Sequence, residues 1–273
     1  MRHMAACQLE LRVIQLHHGL MIKIVIPISG GKDSQACLKL ALRDYDKNEI
    51  IGLFCDTNFE HPLTYAHIDK MRDMYGVKIE RLCAGSVPEQ VLKAGIFPGG
   101  GIRFCTDRLK LRPSRDFYKS LAEKQGGFDV WLGMRSDESS ERSKRYAGII
   151  NTESYPPHEV LQNFPKYLHK MGVTFRLPVL DWSKRDIFEL LAGEENPLYS
   201  QGSERVGCFP CLASGDRNKE QNFSLGEFGA SQRVIVAELE KKIGRSIWTS
   251  KGGAMRNNEN QSDIFTGCAM CAI

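Results

Sequence analysis

A chain of 273 residues holds one large or two small domains, at about 150 residues each. Hydrophobic residues make up 42% and charged residues 26%, ordinary globular values that leave no support for disorder, collagen or repeat arrays. Lys and Arg number 37 against 33 Asp and Glu, a net charge of +4. That is too mild for a histone-like role, so any nucleic-acid contact would rest on local clusters.

Residues 1–21 read as a dispensable leader, in which Glu10 and Arg12 interrupt the apolar core that a signal peptide needs. His17 and His18 fall there without metal-ligand partners at useful spacing. No uncharged apolar stretch reaches the ~18 to 20 residues of a membrane span. A cytoplasmic location and no membrane partner are expected. The 9 cysteines, an odd number, argue against a disulfide framework and for thiol or metal chemistry. Cys37, Cys55 and Cys83 lie inside helix or strand patterns and read as small buried apolar residues, while Cys7 lies in the leader.

Residues 22–28 are β-branched and lead into glycines, which predicts a strand entering a Gly-rich turn. Residues 33–43 follow as a helix, with Cys37, Leu38, Leu40 and Ala41 at helical spacing. Residues 49–55 then read as a second buried strand ending at Asp56-Thr57. Helices over 62–75 and 107–124 alternate with strands over 77–82 and 128–132. The alternation predicts an α/β fold: an open, doubly wound, mostly parallel sheet with helices on both faces and right-handed crossovers. The proline-rich, polar segment 151–172 reads as an insertion or lid with some helix rather than a strand. A strand over 173–179 precedes a helix over 183–192, with Ser183 as cap and Asp186 at its third position. Beyond it come turns, cysteines and one helix over 231–243. A boundary near 195 divides a nucleotide-binding domain, 22–195, from a cysteine-bearing region, 196–273.

Ser29-Gly30-Gly31-Lys32-Asp33-Ser34 stands where strand one becomes helix one. Two glycines let the backbone approach an anion, and the amides of the helix start point at it. Lys32 adds charge and Ser29 and Ser34 add donors. The loop is not a Walker A sequence, because Asp33 stands where that pattern wants Ser or Thr. It resembles the pyrophosphate loop of the adenine-nucleotide α-hydrolases, which cleave ATP between the α and β phosphates. That resemblance implies ATP and Mg²⁺ as cofactors. Further motifs look like the phosphoadenosine phosphosulfate reductase-like branch. They are Asp56-Thr57 with Glu60-His61-Pro62, the segment from Arg103 through Cys105 to Lys110, Gly133-Met134-Arg135 with Arg142, and Asn196-Pro197-Leu198-Tyr199 with Gly207-Cys208.

Gly133 clears space at the carboxyl edge of the sheet and delivers Arg135, whose guanidinium suits a phosphate or sulfate. Arg142 joins this anion cluster, whereas Lys144 reads as solvent decoration. Asp56 ends the second strand at the same edge and could orient ribose, metal or acceptor. Lys32, Asp56, Arg135 and Cys271 are thus the catalytic candidates.

Cys208-Phe209-Pro210-Cys211 and Cys268-Ala269-Met270-Cys271 are both C-x-x-C pairs, which alone would suggest a four-thiolate Zn²⁺ site. The resemblance implies another arrangement. The run from Cys105 to Pro113, flanked by Arg103, Arg108 and Arg112, looks like the cysteine-to-proline segment of iron–sulfur reductases, with Thr106 replacing their second cysteine. Cys105, Cys208, Cys211 and Cys268 are therefore expected to hold a [4Fe–4S] cluster, leaving Cys271 for sulfur chemistry. Zn²⁺ stays the rival.

The leading functional expectation is ATP-dependent sulfur transfer, similar to that of iron–sulfur DNA-phosphorothioation sulfurtransferases and tRNA thiolases. It implies a DNA or tRNA acceptor and a sulfur-donor protein. The runner-up is a phosphoadenosine or adenosine phosphosulfate reductase. The intact Lys32 loop and the tail Thr266-Gly267-Cys268 favour the first. A third class, a non-catalytic nucleic-acid-binding module, draws on the basic residues at 103–119 and 241–256.

Overall fold

The computed structural model describes residues 21–99 and 101–248. Cys7, His17, His18, Cys268 and Cys271 lie outside the described residues. The first βαβ unit is β1 (Ile24–Pro27), α1 (Lys32–Asp44) and β2 (Ile50–Asp56). Next come α2 (Pro62–Tyr75), β3 (Lys78–Cys83) and α3 (Val87–Ala94). A short α4 (Phe104–Thr106) passes through a π turn (Asp107–Leu111) into α5 (Arg112–Gln125), which leads to β4 (Phe128–Trp131). There follow α6 (Ser140–Arg145), β5 (Ser154–Tyr155), α7 (Pro157–Val160), α8 (Lys166–Lys170), β6 (Val173–Arg176) and α9 (Lys184–Leu191). Two helices, α10 (Asp216–Phe223) and α11 (Gly226–Ile243), complete the described chain.

The strand order is β3-β2-β1-β4-β6-β5. Every pairing is parallel except that of β5 with β6. The expected doubly wound α/β sheet is therefore present. Its strands are buried on alternating faces, as the two-residue period requires. Val25, Ile51 and Val130 join Tyr118 and Leu121 of α5 on one side. Ile24, Ile26 and Phe54 join Leu38 of α1, Met71 of α2 and Ile187 of α9 on the other. From β1 the chain winds outward to β2 and β3 and then returns to place β4 on β1's other edge. This reversal opens a crevice beyond the carboxyl ends of β1 and β4, where ligands of such sheets bind.

Local chemistry fixes the helix ends. In α2, His61 accepts the Leu63 amide at 3.1 Å, Pro62 occupies the first turn, and Gly76 closes the helix at φ +63°. Ser183 and Asp186 form the expected reciprocal capping box of α9.

Several elements differ from the sequence reading. Segment 151–172 contains a strand after all, because β5 adds to the sheet edge beside β6, between Ser154–Arg176 and Tyr155–Phe175 partners. β6 stops at Arg176 rather than 179, since Pro178 has no amide to offer the ladder. The last helical region is two helices rather than one, and the longer begins at Gly226 rather than Ser231. Cys37 and Cys55 are buried as expected. Cys83 is not: it ends the edge strand β3 and is only half-buried.

A third cluster joins Phe59, Val87, Val91 and Leu109 to Leu212, Phe223, Val236 and Leu239. The described part of the C-terminal region thus shares a core with the layer before it. No described helix is long and apolar enough to cross a membrane.

A buried polar network braces α1 from behind. His67 Nε2 lies 2.9 Å from Gln35 Oε1, and Gln35 Nε2 donates to the Tyr75 hydroxyl (3.0 Å) and the Glu194 carbonyl (2.9 Å). The Gln35 oxygen requires a proton on Nε2, which leaves the buried His67 Nδ1 bare, with no partner among the described residues. Burial accordingly lowers the His67 pKa from 6.5 to about 4. The unfolded chain therefore takes up this proton first as pH falls. Stability contributed by neutral His67 is complete above about pH 6.5 and is lost on acidification towards 4. Melting curves from pH 7.5 to 4.5 should show a steeper fall for the native protein than for His67→Gln. Parallel profiles would remove His67 as the cause.

Candidate functional site

The turn after β1 is shaped by what its glycines must avoid. Gly30 has φ +75°, and a Cβ there would stand 2.6 Å from Thr64 Cγ2. Gly31 caps α1 with an extended backbone and no side-chain partner, leaving the positive end of the helix towards the crevice. Distant residues hold the turn in place. Asn196 Nδ2 donates to the Gly30 carbonyl at 3.1 Å, and the Lys32 amide donates to the Tyr199 hydroxyl at 3.0 Å. Gly133, just past β4, lies so close that its Cβ would be 2.7 Å from the Asp33 carbonyl carbon and the Ser34 nitrogen. The missing side chain lets the two strand ends meet.

Ser29, Lys32, Ser34, Gly133, Arg142 and Arg205 contribute to the walls of the resulting cleft. Lys32 is only 4% exposed, and its ammonium stands 2.6 Å from Asp33 Oδ2. Burial lowers its pKa, against the opposing pull of Asp33. The other Asp33 oxygen accepts from Arg135 Nε at 2.6 Å. Arg135 also pairs with Asp137 and donates to the Trp182 carbonyl, so it stands behind Asp33 rather than among the cleft-lining residues. Arg142, 1% exposed and paired with Glu138, does line the cleft. Lys144 is exposed. The pocket thus gathers Lys32, Arg142 and Arg205 against Asp33, Glu138 and Glu204, a balance that a polyanion would tip by displacing carboxylates.

Asp56 ends β2 in the same sheet, buried at 2% exposure, but its carboxylate is already engaged. One oxygen accepts from the Asn58 amide and the Tyr65 hydroxyl, both at 2.8 Å; the other takes Arg81 Nε at 2.9 Å. Asp56 therefore organises the loop after β2. Glu60 completes that loop and was read only as part of a motif. It accepts from Thr57 Oγ1 at 2.6 Å and from the Tyr65 hydroxyl at 3.0 Å, and burial raises its pKa. A β-bridge pairs Glu60 with Cys208, and Phe209 N donates to the Phe59 carbonyl at 2.6 Å. The His61 ring is wedged between Phe209 and Phe228, at 4.7 and 4.8 Å. The first C-x-x-C pair is thereby fastened to the end of β2.

Cys105, Cys208 and Cys211 line one small apolar cavity with Lys110 and Leu212. Burial pushes the Cys208 thiol up to about 12, against the pull of Lys110. Three thiols around one cavity are the soft donor set that iron–sulfur clusters and zinc select, so the donor chemistry fits either group. Among the described residues no three His, Cys, Asp or Glu side chains are gathered closely enough to hold an ion.

The model of the phosphoadenosine phosphosulfate reductase domain matches residues 23–214, from the first strand to just past the Cys208–Cys211 pair. The chain belongs to that family. An uncharacterized protein of Methanocaldococcus jannaschii is 32% identical over 236 residues, which cover 84% of this chain and 45% of that protein. A probable chloroplastic 5′-adenylylsulfate reductase of Oryza sativa is 29% identical over 199 residues, 69% of this chain and 38% of that protein. The chain thus spans less than half the length of either relative. Among solved structures, the U34-tRNA thiolase of Methanococcus maripaludis with its [4Fe–4S] cluster matches with a TM-score of 0.45 and 16% identity, over 94% of this chain and 84% of that one. So distant a likeness bears no weight on the chemistry of this site.

Tyr199 and Asn196 stood in the sequence as parts of a family-like motif, yet their hold on the backbone of the turn at Gly30–Lys32 has no local signature. Arg205 gave no signal at all. Its neighbours Glu204 and Val206 reach the cleft only because the chain folds back after α9.

Proposed function

We propose that the chain is an ATP-cleaving enzyme that releases AMP and pyrophosphate and activates an acceptor oxygen for replacement by sulfur. The observation that carries this is the complete loop Ser29–Ser34, closed by Gly133 and furnished with buried Lys32. A reaction that expels pyrophosphate needs such a cradle; a reductase acting on an already activated sulfonucleotide does not. In the proposed reaction an acceptor oxygen attacks the α phosphorus, the bond to the bridging α–β oxygen breaks, and both electrons leave with pyrophosphate. Lys32 and the amides at the start of α1 stabilise the charge that develops there. Mg²⁺ bound with the nucleotide would supply further neutralisation. Arg135 locks Asp33, and through it Lys32, into register, while Arg142 and Arg205 face the phosphates. A sulfur nucleophile from a donor protein then displaces AMP from the acceptor, a nucleic acid or nucleotide. Incubation with ATP and candidate DNA or tRNA acceptors should yield AMP and pyrophosphate. Release of ADP and orthophosphate would sink the proposal.

The family match keeps reduction of a phosphoadenosine or adenosine phosphosulfate as the second reading. Sulfite released from a sulfonucleotide, with no cleavage of ATP, would favour it.

Cys105, Cys208 and Cys211 would hold a [4Fe–4S] cluster, with Cys268 as fourth ligand and Cys271 left reactive; the cavity shared by the first three supports this. Such a group would supply a site for binding or transferring sulfur. Protein made anaerobically with iron is expected to be brown, and Cys105→Ser to bleach it and lower its iron content. A colourless protein with one tightly held zinc, unaffected by Cys105→Ser, would assign Cys208, Cys211, Cys268 and Cys271 to zinc instead.

A further inference from the structure

A second cleft adjoins the phosphate cleft, and Glu204, Arg205 and Val206 line both. Arg103, Lys110 and Arg205 line the second cleft, as do the thiols Cys208 and Cys211. Helix α10 contributes Asn218, Gln221 and Asn222 to the same lining. Their spacing puts the three amides on one helical face. Gln221 Nε2 donates to the Gly202 carbonyl and so ties α10 to the loop that carries Arg205. Asn218 and Asn222, both half-buried, make no side-chain hydrogen bond to any described residue.

These features differ in kind from the phosphate cleft. Among the described residues that line the second cleft are three cations and one carboxylate, Glu204, a lining that suits an anion. Carboxamides carry a donor and an acceptor side by side, the pairing that reads the edge of a nucleobase. A simple phosphate would use the cations and leave both amides idle. We propose that this second cleft seats one nucleotide unit, its base against Asn218 and Asn222 of α10 and its phosphate towards Arg103, Lys110 and Arg205. The proposal deepens the functional reading by placing an acceptor between the ATP phosphates and the thiols. It rests on that reading only in assigning ATP to the first cleft. The same unit could come from a free nucleotide or from a single strand, and the two sources are separable.

The test is calorimetric titration of the full chain with the first cleft saturated by α,β-methylene ATP. Two probes are used: each of the four ribonucleoside 5′-monophosphates, and a single-stranded ten-residue oligonucleotide. A second equivalent of one or both probes is expected; tighter binding of the oligonucleotide identifies a polynucleotide source, and equal or tighter binding of a mononucleotide a free one. Asn222→Asp, nearly isosteric but anionic, should weaken that event at least tenfold, and Asn218→Ala should alter the preference among bases. Affinity for the ATP analogue should stay unchanged in both variants. Absence of a second equivalent with both kinds of probe overturns the proposal, as does a second event that neither variant alters. Failure of the analogue itself to bind would count against ATP in the first cleft. The probe titrations, run without it and compared across the two variants, would still decide the second.

Discussion

Lys32→Ala is expected to lower the rate of AMP and pyrophosphate formation by about 100- to 1,000-fold, the usual cost of removing one preorganised charge from a developing anion. Nucleotide affinity should fall much less. The reason is geometric: Lys32 is almost wholly enclosed, its ammonium is held by Asp33, and it borders the cleft beside the helix start. Its placement is fixed before the nucleotide arrives, so its charge is spent on the transition state rather than on capture. Steady-state kinetics with a direct binding measurement separates the two quantities. A loss confined to affinity would make Lys32 a tether, and a change within about twofold would remove it from the chemistry.

Gly133→Ala should be nearly as damaging, though it deletes nothing. The new methyl would lie 2.7 Å from main-chain atoms of Asp33 and Ser34, and main chain cannot swing aside as a side-chain tip can. Overpacking of this kind costs about 1–3 kcal/mol. In a chain of this length that lowers the melting temperature by only several degrees. Function suffers more, because relief moves the phosphate loop away from β4, and misplacing a catalytic element by about 1 Å costs on the order of 100-fold in rate. The variant should therefore remain folded at 25 °C, by circular dichroism, and be almost inert in the ATP assay. Full activity in a folded variant would show that the contact between Gly133 and the loop does not set the geometry of catalysis.

Much of this was legible in the sequence because it is local. A β-branched run followed by two glycines announces a strand turning into a helix, and Ser183 with Asp186 announces a helix start. Ser86 with Glu89 carries the same capping signal for α3, a helix outside the elements read from the sequence. Other features have no local trace. The two residues of β5 are strand only because β6 lies beside them. The π turn inside the α4–α5 run is invisible to a pattern based on 3.6 residues per turn. At the site, the types of Asp56 and Arg135 were readable and their partners were not. Asp56 faces Arg81 and Arg135 faces Asp33, partners that lie 25 and 102 positions away in sequence. The thiols show the opposite case, since Cys105 and the Cys208–Cys211 pair were grouped by resemblance and do share a cavity.

The clamp on the phosphate loop also bears on biosynthesis. Gly30 and Lys32 are bonded to Asn196 and Tyr199, partners 166 and 167 residues downstream. A ribosome delivers the loop early and its clamps only after nearly all of the family domain has been made. Throughout that interval the nascent turn has its glycines' freedom but not its final shape, and such long-range closure slows folding relative to a fold built from local contacts. The final shape of the turn therefore waits for the far end of the domain, and a chain arrested before Asn196 would display the loop without its clamps.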